Sequence, residues 1–247
     1  MKQVPYKNFI VNFRENTADE AVLEHSFDRD IFFSSIPYYT PPANAIIIDV
    51  GAHIGTFSLL MADKSPEGKY FALEPAEDTY TVLEKNVVDN NLVGRLIPCK
   101  IALFNKNSKV KLYHDEYSGN WGHSIVNRLS KTFEEVTTIT LDSFFEHHQI
   151  SHCDLIKFNC EGAEFKIIEN VSKSVLNKIN TWVILYHEDL EMKGNHTAII
   201  KRLKSNGYFV NLIRVSDDQK RGWITATKNY RQYIWFSLRS KMNRIFK

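Results

Sequence analysis

The sequence of 247 residues has few cysteines, no long apolar run and no excess of charge of one sign. Its three cysteines, Cys99, Cys153 and Cys160, show neither the spacing of a zinc site nor a disulfide framework. No apolar run is long enough to span a bilayer, and the first residues lack the apolar core of a signal peptide. The formal net charge of +2 argues against a dedicated nucleic-acid binder. We therefore expect a cytoplasmic protein that does not bind nucleic acid.

Two phosphate-binding motifs are also absent. The chain has no G-x-x-x-x-G-K-[ST] loop, and its glycine-rich turn, residues 49–55, has His53 where the second glycine of G-x-G-x-x-G would stand. Asp49 precedes the first glycine of this turn. An acid at that position, without a tight pyrophosphate-binding nest, suits a ligand that has an amino-acid moiety and no phosphate. The turn therefore favours S-adenosylmethionine as cofactor over a dinucleotide such as NAD.

The glycine-rich turn lies in the stretch around which the chain is organised, residues 45–62. The β-branched run Ile46–Ile48 has the composition of a buried parallel strand. Gly51 and Gly55 interrupt the strand pattern, and apolar residues then resume at helical spacing. A strand, a glycine turn and a helix form the opening unit of a Rossmann-like α/β fold. We expect a mostly parallel sheet with helices on both faces and an antiparallel final strand.

The predicted cofactor-binding residues follow from this architecture, because its ligands bind at the carboxyl ends of the strands. Glu74 ends the second predicted strand, about 20 residues after the first glycine, where an acid accepts hydrogen bonds from a ribose. Ala102, in a third strand region, would either wall an adenine ring or pack in the core. The full predicted set is Asp49, Gly51, Ala52, His53, Gly55, Glu74, Pro75 and Ala102.

Three motifs resemble those of the FkbM-type methyltransferases. They are I-D-V-G-A-H-I-G at 48–55, L-E-P at 73–75 and L-I-K-F-N-C-E-G-A-E at 155–164, with T-L-D at 140–142 as a further match. The resemblance implies a Rossmann-like class I methyltransferase fold with S-adenosylmethionine as methyl donor. It also implies O-methylation of a hydroxyl on a sugar, glycan or related natural product.

The chain departs from the family pattern at two positions. Asn159 stands where the family usually has Asp, and His53 stands where it usually has Asn. An Asn side chain forms hydrogen bonds, but it cannot take a proton or supply negative charge to a metal. Two alternatives therefore stand beside the methyltransferase: a non-catalytic protein of the same fold that only binds ligands, and an NAD-dependent oxidoreductase on a similar sheet.

The predicted catalytic residues follow two later strands. Asn159 ends the strand predicted at 154–159 and Glu161 comes just after it, whereas His187 follows the strand predicted at 182–186. A sugar hydroxyl needs a general base with a pKa near the working pH. His187 meets this requirement through its near-neutral intrinsic pKa, and Glu161 is the rival base or a substrate ligand.

The predicted substrate residues are less well defined by pattern. Asp142 and Glu164 would orient the acceptor and the base, and Asp142 is also predicted to cap a helix at 143–148. Residues 115–127 read as a lid that contributes Trp121 and His123. Nothing in the spacing demands a metal, although Asp142, Glu161 and His187 are residue types that bind divalent ions.

Two flanking segments complete the predicted organisation: a cap at 1–44 and a helix at 229–247, on either side of a domain at 45–228. The aromatic stretch Phe32–Pro42 is predicted to lean over the pocket mouth, or else to cover a sheet edge. The final segment is basic and aromatic and has no acid. It would lie on an anionic membrane surface, dock on a partner or second copy of the chain, or pack as an ordinary terminal helix.

Overall fold

The computed structural model describes residues 1–29, 31–37, 39–114, 123–126, 131–190, 194–214 and 220–245, with the backbone alone at 214 and 239–245. In chain order its elements are β1 (Lys2–Tyr6), β2 (Phe9–Phe13), α1 (Ala18–Leu23), a π-helical turn (Glu24–Asp28), α2 (Ile31–Ser35), β3 (Ile46–Val50), α3 (Thr56–Lys64), β4 (Lys69–Leu73), α4 (Glu77–Asp89), β5 (Leu96–Cys99), β6 (Ala102–Leu103), β7 (Ser108–Tyr113), β8 (Phe133–Ile139), α5 (Leu141–His147), β9 (Cys153–Phe158), α6 (Glu164–Asn170), α7 (Lys173–Lys178), β10 (Ile179–His187), α8 (His196–Ser205), β11 (Phe209–Arg214), β12 (Arg221–Thr227) and α9 (Tyr230–Ile245).

The central sheet, as far as the described residues show it, has seven strands in the order β11-β12-β10-β9-β3-β4-β5. Strand β3 pairs in parallel with β4 on one side and β9 on the other, whereas β12 runs antiparallel to both of its neighbours. The predicted Rossmann-like fold with an antiparallel final strand is confirmed. The chain leaves β3 toward β4 and later returns to its other side as β9. The carboxyl end of β3 is therefore a switch point, where such sheets bind ligands.

A smaller sheet, of three strands within the described ranges, lies outside the central one in the order β6-β8-β7. Strands β7 and β8 form an antiparallel pair, and β6 pairs in parallel with β8. The sequence predicts a strand at Val110–Tyr113 that forms a hairpin with the strand region 96–103. The strand is confirmed within β7, but the hairpin is wrong, because β7 pairs with β8. The alternating pattern at 136–141 predicts the strand β8, but an alternating pattern does not reveal which sheet a strand joins.

The N-terminal segment packs on the same core as the central sheet. Val11 and Phe32 are buried in one apolar cluster with Phe57 of α3. The backbone N–H of Asn12 donates to Asn86 Oδ1 of α4 at 2.6 Å, and both side chains are buried. These contacts join the segment predicted as a cap to the folded core.

Local capping signals place the helix starts, with one correction. The sequence predicts a helix at 17–27 with Thr17 as its N-cap. Thr17 does cap α1, since its Oγ1 accepts a hydrogen bond from Asp19 N at 3.2 Å. The predicted cap of α5, Asp142, is wrong, because Thr140 Oγ1 accepts the bond from Ser143 N at 3.1 Å. Thr140 has the extended backbone of an N-cap, whereas Asp142 already lies in the first helical turn.

The C-terminal helix α9 packs against β11 and β12 through Phe236, which is buried. Tyr230, Ile234, Trp235 and Leu238 leave much of their surface exposed. In the described part of the chain, no helix combines the length and the apolar character needed to cross a bilayer. Contact of α9 with a membrane surface or a partner stays a prediction.

Gly51 holds the closest backbone contact at the switch point. Its φ is +73°, and a Cβ built on it would lie 1.9 Å from the carbonyl oxygen of Asn159. Gly94 has a φ of +85°, but a Cβ there would meet nothing within 4 Å. Alanine substitutions at the two positions therefore distinguish two effects. Both would strain the backbone, but only the substitution at Gly51 would add a steric clash.

We expect Gly51→Ala to lower the free energy of unfolding by about 3 kcal/mol or more, because the clash is with backbone and adds to the strain of a positive φ. The control Gly94→Ala should cost about 1 kcal/mol from strain alone. Urea unfolding of both variants measures the difference. Equal losses would contradict the close approach of Gly51 to Asn159.

Candidate active site

A pocket opens at the carboxyl ends of β3, β4 and β9. The segments that follow these strands, residues 51–53, 74–75 and 159–161, form much of its wall. The structure thus brings together, in one pocket, most of the residues singled out in the sequence. Those on the wall are Gly51, Ala52, His53, Glu74, Pro75, Ala102, His123, Asn159 and Glu161.

One part of the pocket is apolar. Ala102, Leu103 and Leu112 of the smaller sheet line it together with Ile101 and with Ile125 from the segment 123–126. Such a wall suits the flat, weakly polar face of an adenine ring. The sequence predicted Ala102 in the third strand region, but β5 ends at Cys99 and Ala102 lies in β6 of the smaller sheet. Its contact with a ligand stays a prediction.

The N-terminal segment supplies another part of the wall. Val22 and Phe32 contribute apolar surface, and the π-helical turn contributes His25 and Ser26. The Ser26 and Thr56 hydroxyl oxygens lie 2.8 Å apart, which joins this turn to the first residue of α3. π-Helical turns are rare and often occur at functional sites. The sequence predicted an uninterrupted helix at 17–27 and missed this turn.

The predicted aromatic cap at 32–42 is only partly at the pocket. Phe32 lines the wall, whereas the Tyr39 hydroxyl lies 3.5 Å from the carbonyl oxygen of Asp154, at the amino end of β9. The amino end of β9 is the end away from the pocket, which lies at the carboxyl ends of the strands. Among the described residues, the covering of the pocket therefore comes from Val22, the π-helical turn, Ile31 and Phe32 rather than from the proline-bounded string that follows.

A buried ion pair lies beneath the pocket floor. Lys157 Nζ of β9 donates to Asp49 Oδ1 of β3 at 2.9 Å and to the carbonyl oxygen of Gly51 at 2.7 Å. Ser58 Oγ donates to the other Asp49 oxygen at 2.8 Å. Both charged side chains are at most 2% exposed. Asp49 is 1% exposed and is not among the described residues that line the pocket, so its predicted direct contact with the cofactor is corrected to a position beneath the floor. The sequence offered Lys157 only as part of a motif, with no sign of its partner.

Glu74, unlike Asp49, lines the pocket. Its two oxygens accept hydrogen bonds from the backbone N–H groups of His53, at 2.9 Å, and Ala76, at 3.0 Å. Burial raises the pKa of Glu74 to about 7, although these bonds oppose the change. Each oxygen keeps a further lone pair that a ribose hydroxyl would use. The position agrees with the predicted ribose-binding role, which stays a prediction.

His53 enters the pocket wall from a left-handed backbone conformation, with φ +53°. Its ring nitrogens are buried and find no hydrogen-bond partner among the described residues. Asp19 Oδ1 lies 3.6 Å from Nε2, and Arg14 holds that carboxylate through its side chain and its backbone N–H. Burial lowers the pKa of His53 to about 4, so the imidazole is neutral at pH 7. It offers a ligand one donor and one acceptor.

Asn159 follows β9 and faces the same space. Its backbone N–H donates to Val50 O at 3.0 Å, which fixes the start of the loop. Its side-chain oxygen Oδ1 is buried and has no hydrogen-bond partner within the described chain. Because a buried polar atom without a partner is costly, this oxygen favours a bound ligand with a hydrogen-bond donor.

Glu161 and His187 form a buried pair, of which only Glu161 lines the pocket. His187 Nε2 lies 3.6 Å from Glu161 Oε2, and the imidazole is 2% exposed. Burial raises the pKa of Glu161, and His187 opposes the change. Burial alone would lower the pKa of His187, but Glu161 and Glu164 together raise it. The prediction that His187 meets the acceptor is therefore corrected: it stands behind Glu161.

Glu164, predicted as a substrate residue, is not among the described residues that line the pocket. Its side chain is fully buried, and Oε1 accepts a hydrogen bond from His187 N at 2.7 Å and lies 3.3 Å from Nδ1. The other oxygen accepts from Gly162 N at 3.0 Å. The carboxylate thus orients the imidazole and the loop that carries Glu161, and none of its atoms reaches the pocket wall.

Three further predicted residues do not form part of the described wall. The Asp142 carboxylate accepts a hydrogen bond from Ser172 N at 3.1 Å and joins α5 to the start of α7. Gly55 precedes α3 with φ +89°, and a Cβ there would lie 2.6 Å from Leu83 Cδ1, so its role is in packing. Trp121 lies outside the described residues. Among the described residues, no group of three or more His, Cys, Asp or Glu side chains is arranged for a metal.

Comparisons with known proteins give a consistent family. Residues 49–210 match the profile of the methyltransferase FkbM domain. Methyltransferase 1 of Beauveria bassiana (strain ARSEF 2860) is 25% identical over 215 residues, which cover 78% of this chain and 85% of the relative. The 31-O-demethyl-FK506 methyltransferase FkbM of Streptomyces tacrolimicus is 23% identical over 192 residues, covering 67% and 73%. A structure of the METTL16 methyltransferase domain aligns with a TM-score of 0.51 and 12% identity, covering 90% of this chain and 74% of that one. This last likeness shows the fold alone.

The buried ion pair gives a test by mutation. Lys157→Met leaves the Asp49 carboxylate buried without its cation, and we expect a loss of about 3–5 kcal/mol in the free energy of unfolding. The control is Lys85→Met, which breaks the exposed Lys85–Asp89 pair and should change stability by less than about 0.5 kcal/mol. Urea unfolding measures both. A Lys157 variant as stable as the control would show that the pair does not hold β3 to β9.

The raised pKa of Glu74 predicts a pH-dependent stability. Between about pH 4.5 and pH 7 the folded state holds the Glu74 proton that the unfolded state has lost, so this group's contribution to stability falls as the pH rises through that window. Glu74→Gln removes the titration. The unfolding free energy of the variant minus that of the wild type should therefore increase by about 2–3 kcal/mol from pH 5 to pH 8. A difference that stays constant with pH would contradict the assignment.

Proposed function

The chain belongs to the methyltransferase FkbM family, and we propose that it transfers a methyl group from S-adenosylmethionine to a hydroxyl oxygen of a natural product or of a related sugar-containing acceptor. Membership in this family makes the protein an S-adenosylmethionine-dependent methyltransferase and replaces the oxidoreductase alternative. That the acceptor group is a hydroxyl goes beyond family membership and is our proposal. It is supported by the Streptomyces relative, a methyltransferase of 31-O-demethyl-FK506.

The pocket fits S-adenosylmethionine in its chemistry. We expect Glu74 to accept hydrogen bonds from the ribose hydroxyls and the apolar end near Ala102 to hold the adenine. The unpartnered Oδ1 of Asn159 would accept a hydrogen bond from the ammonium of the amino-acid moiety. When bound, this cofactor supplies an activated methyl group. The absence of a second glycine at His53 is compatible with it, because no pyrophosphate has to be enclosed.

The observation that carries the proposal is the position of Glu161. It is the carboxylate on the pocket wall with a histidine behind it, and burial raises its pKa toward that of a useful base. Glu161 would accept the hydroxyl proton of the acceptor. His187, itself oriented by Glu164, would hold the Glu161 carboxylate in place and stabilise its negative charge before the transfer.

The part of the pocket wall that the N-terminal segment supplies indicates which kind of acceptor fits. Val22 and Phe32 are apolar and belong to residues 1–48, which precede the part of the chain that matches the family profile. An acceptor with an apolar body would use such a wall better than a free monosaccharide would. This supports a natural product over an unmodified sugar.

The proposal predicts separable effects on binding and turnover. Glu161→Gln should keep the affinity for S-adenosylmethionine, measured by calorimetry, and lower kcat about 100-fold or more, because Gln takes up no proton. Turnover would be followed as methyl transfer from labelled S-adenosylmethionine to a panel of hydroxyl-bearing natural products. His187→Asn should shift the pH profile of kcat, since it removes the imidazole that opposes the rise in the pKa of Glu161.

The exposed Glu169→Gln is the matched control and should behave as wild type. Full activity of Glu161→Gln would contradict the assignment of the base. Tight binding of S-adenosylmethionine without transfer to any acceptor would instead favour a non-catalytic binding protein, the alternative raised by Asn159.

A further inference from the structure

A second cleft lies beside the pocket and has not entered the proposed function. Its floor is apolar and includes Phe104, Val110 and Ile125. Its rim carries three lysines, Lys106, Lys111 and Lys166, and two neutral polar side chains, those of Asn105 and Tyr113. We call it the lysine cleft. No carboxylate is among the described residues that line it.

The charges of the lysine cleft are poorly compensated. Within the described ranges, neither Lys106 nor Lys111 makes an ion pair, and Lys111 Nζ lies 3.8 Å from the centre of the Phe133 ring instead. Lys166 has only a loose pair with Glu169, at 3.6 Å. Glu135 lies opposite Lys111 in the register of β7 and β8, but its carboxylate pairs with the neighbouring Lys109, outside the cleft, at 3.1 Å. Like charges around one cleft repel each other and favour a bound anion.

The lysine cleft and the pocket share a wall. Ile125 lines both cavities, and Ser124 beside it pairs with Tyr113 through two backbone hydrogen bonds, at 2.9 and 3.1 Å. Ser124 Oγ donates to the carbonyl oxygen of Glu161 at 2.7 Å. A single stretch of backbone thus separates the lysines from the residue proposed as base. A molecule held at the cleft would reach over this wall toward Glu161.

We propose that the lysine cleft binds a phosphate group of the acceptor, so that the molecule methylated at Glu161 is a phosphorylated one. Lysine ammonium groups act as point charges toward phosphate oxygens, and three of them suit the multiple charges of a phosphate better than the single charge of a carboxylate. The apolar floor would contact the part of the molecule next to the phosphate. The acceptor half of this proposal rests on the proposed function, whereas anion binding at the cleft does not.

The binding half is tested with inorganic pyrophosphate, titrated calorimetrically into the full chain at low ionic strength. We expect saturable binding, with Kd raised about tenfold or more in Lys111→Gln/Lys166→Gln. The control Lys85→Gln removes an exposed lysine of α4 that does not line the cleft, and it should leave Kd within about twofold of wild type. Unchanged affinity for S-adenosylmethionine verifies that each variant is folded. No saturable binding, or an equal loss in the control, would overturn the cleft as an anion site.

The acceptor half is tested with matched pairs of compounds, each hydroxyl compound with and without a phosphate. We expect the phosphorylated member to have the lower KM, and Lys111→Gln/Lys166→Gln to remove this preference while kcat at saturation is kept. A preference that survives in the variant, or inorganic phosphate binding as tightly as every phosphorylated compound, would overturn the acceptor assignment. If no compound is methylated, the result counts against the proposed function. The pyrophosphate titration would still show whether the cleft binds an anion.

Discussion

The geometry of the pocket depends on the buried ion pair between Lys157 and Asp49. The two residues are 108 positions apart in the chain, yet they join β9 to β3 at the switch point of the sheet. A buried pair has little net stabilising effect but is strongly destabilising to break, because one charge then remains without its partner. Since Lys157 also donates to the Gly51 carbonyl, the pair sets the backbone path of the glycine turn.

The rest of the pocket is built outward from that turn through backbone contacts. Gly51 abuts the Asn159 carbonyl, and the N–H of His53 donates to Glu74, so the segments after β3, β4 and β9 fix one another. On the far side, Ser124 holds the carbonyl of Glu161. Polar side chains such as Asn159 therefore face the pocket with little freedom, as a binding or catalytic group requires.

The sequence predicted the features that local patterns encode. The β-branched run at Ile46–Ile48 marks a buried strand, and Glu74 ends the next predicted strand, just before Pro75. The place of Glu74 at the ligand-binding end of the sheet was therefore predictable. The partner of Asp49 was not, because Lys157 lies in a distant strand and no local pattern links the two. The same limit applies to His187: a histidine at a strand end reads as a base, and only packing shows that Glu161 covers it.

A crystal structure of the protein with S-adenosylhomocysteine would test the central claim most directly, namely that Asp49 supports the pocket from below while Glu74 and Asn159 meet the cofactor. We expect the ribose to lie at the Glu74 carboxylate and the amino-acid end of the ligand at Asn159. Asp49 should still be bonded to Lys157 and Ser58. Glu161 would remain open to the acceptor. A structure in which Asp49 leaves Lys157 to bind the ligand, or in which the ligand binds elsewhere, would contradict it.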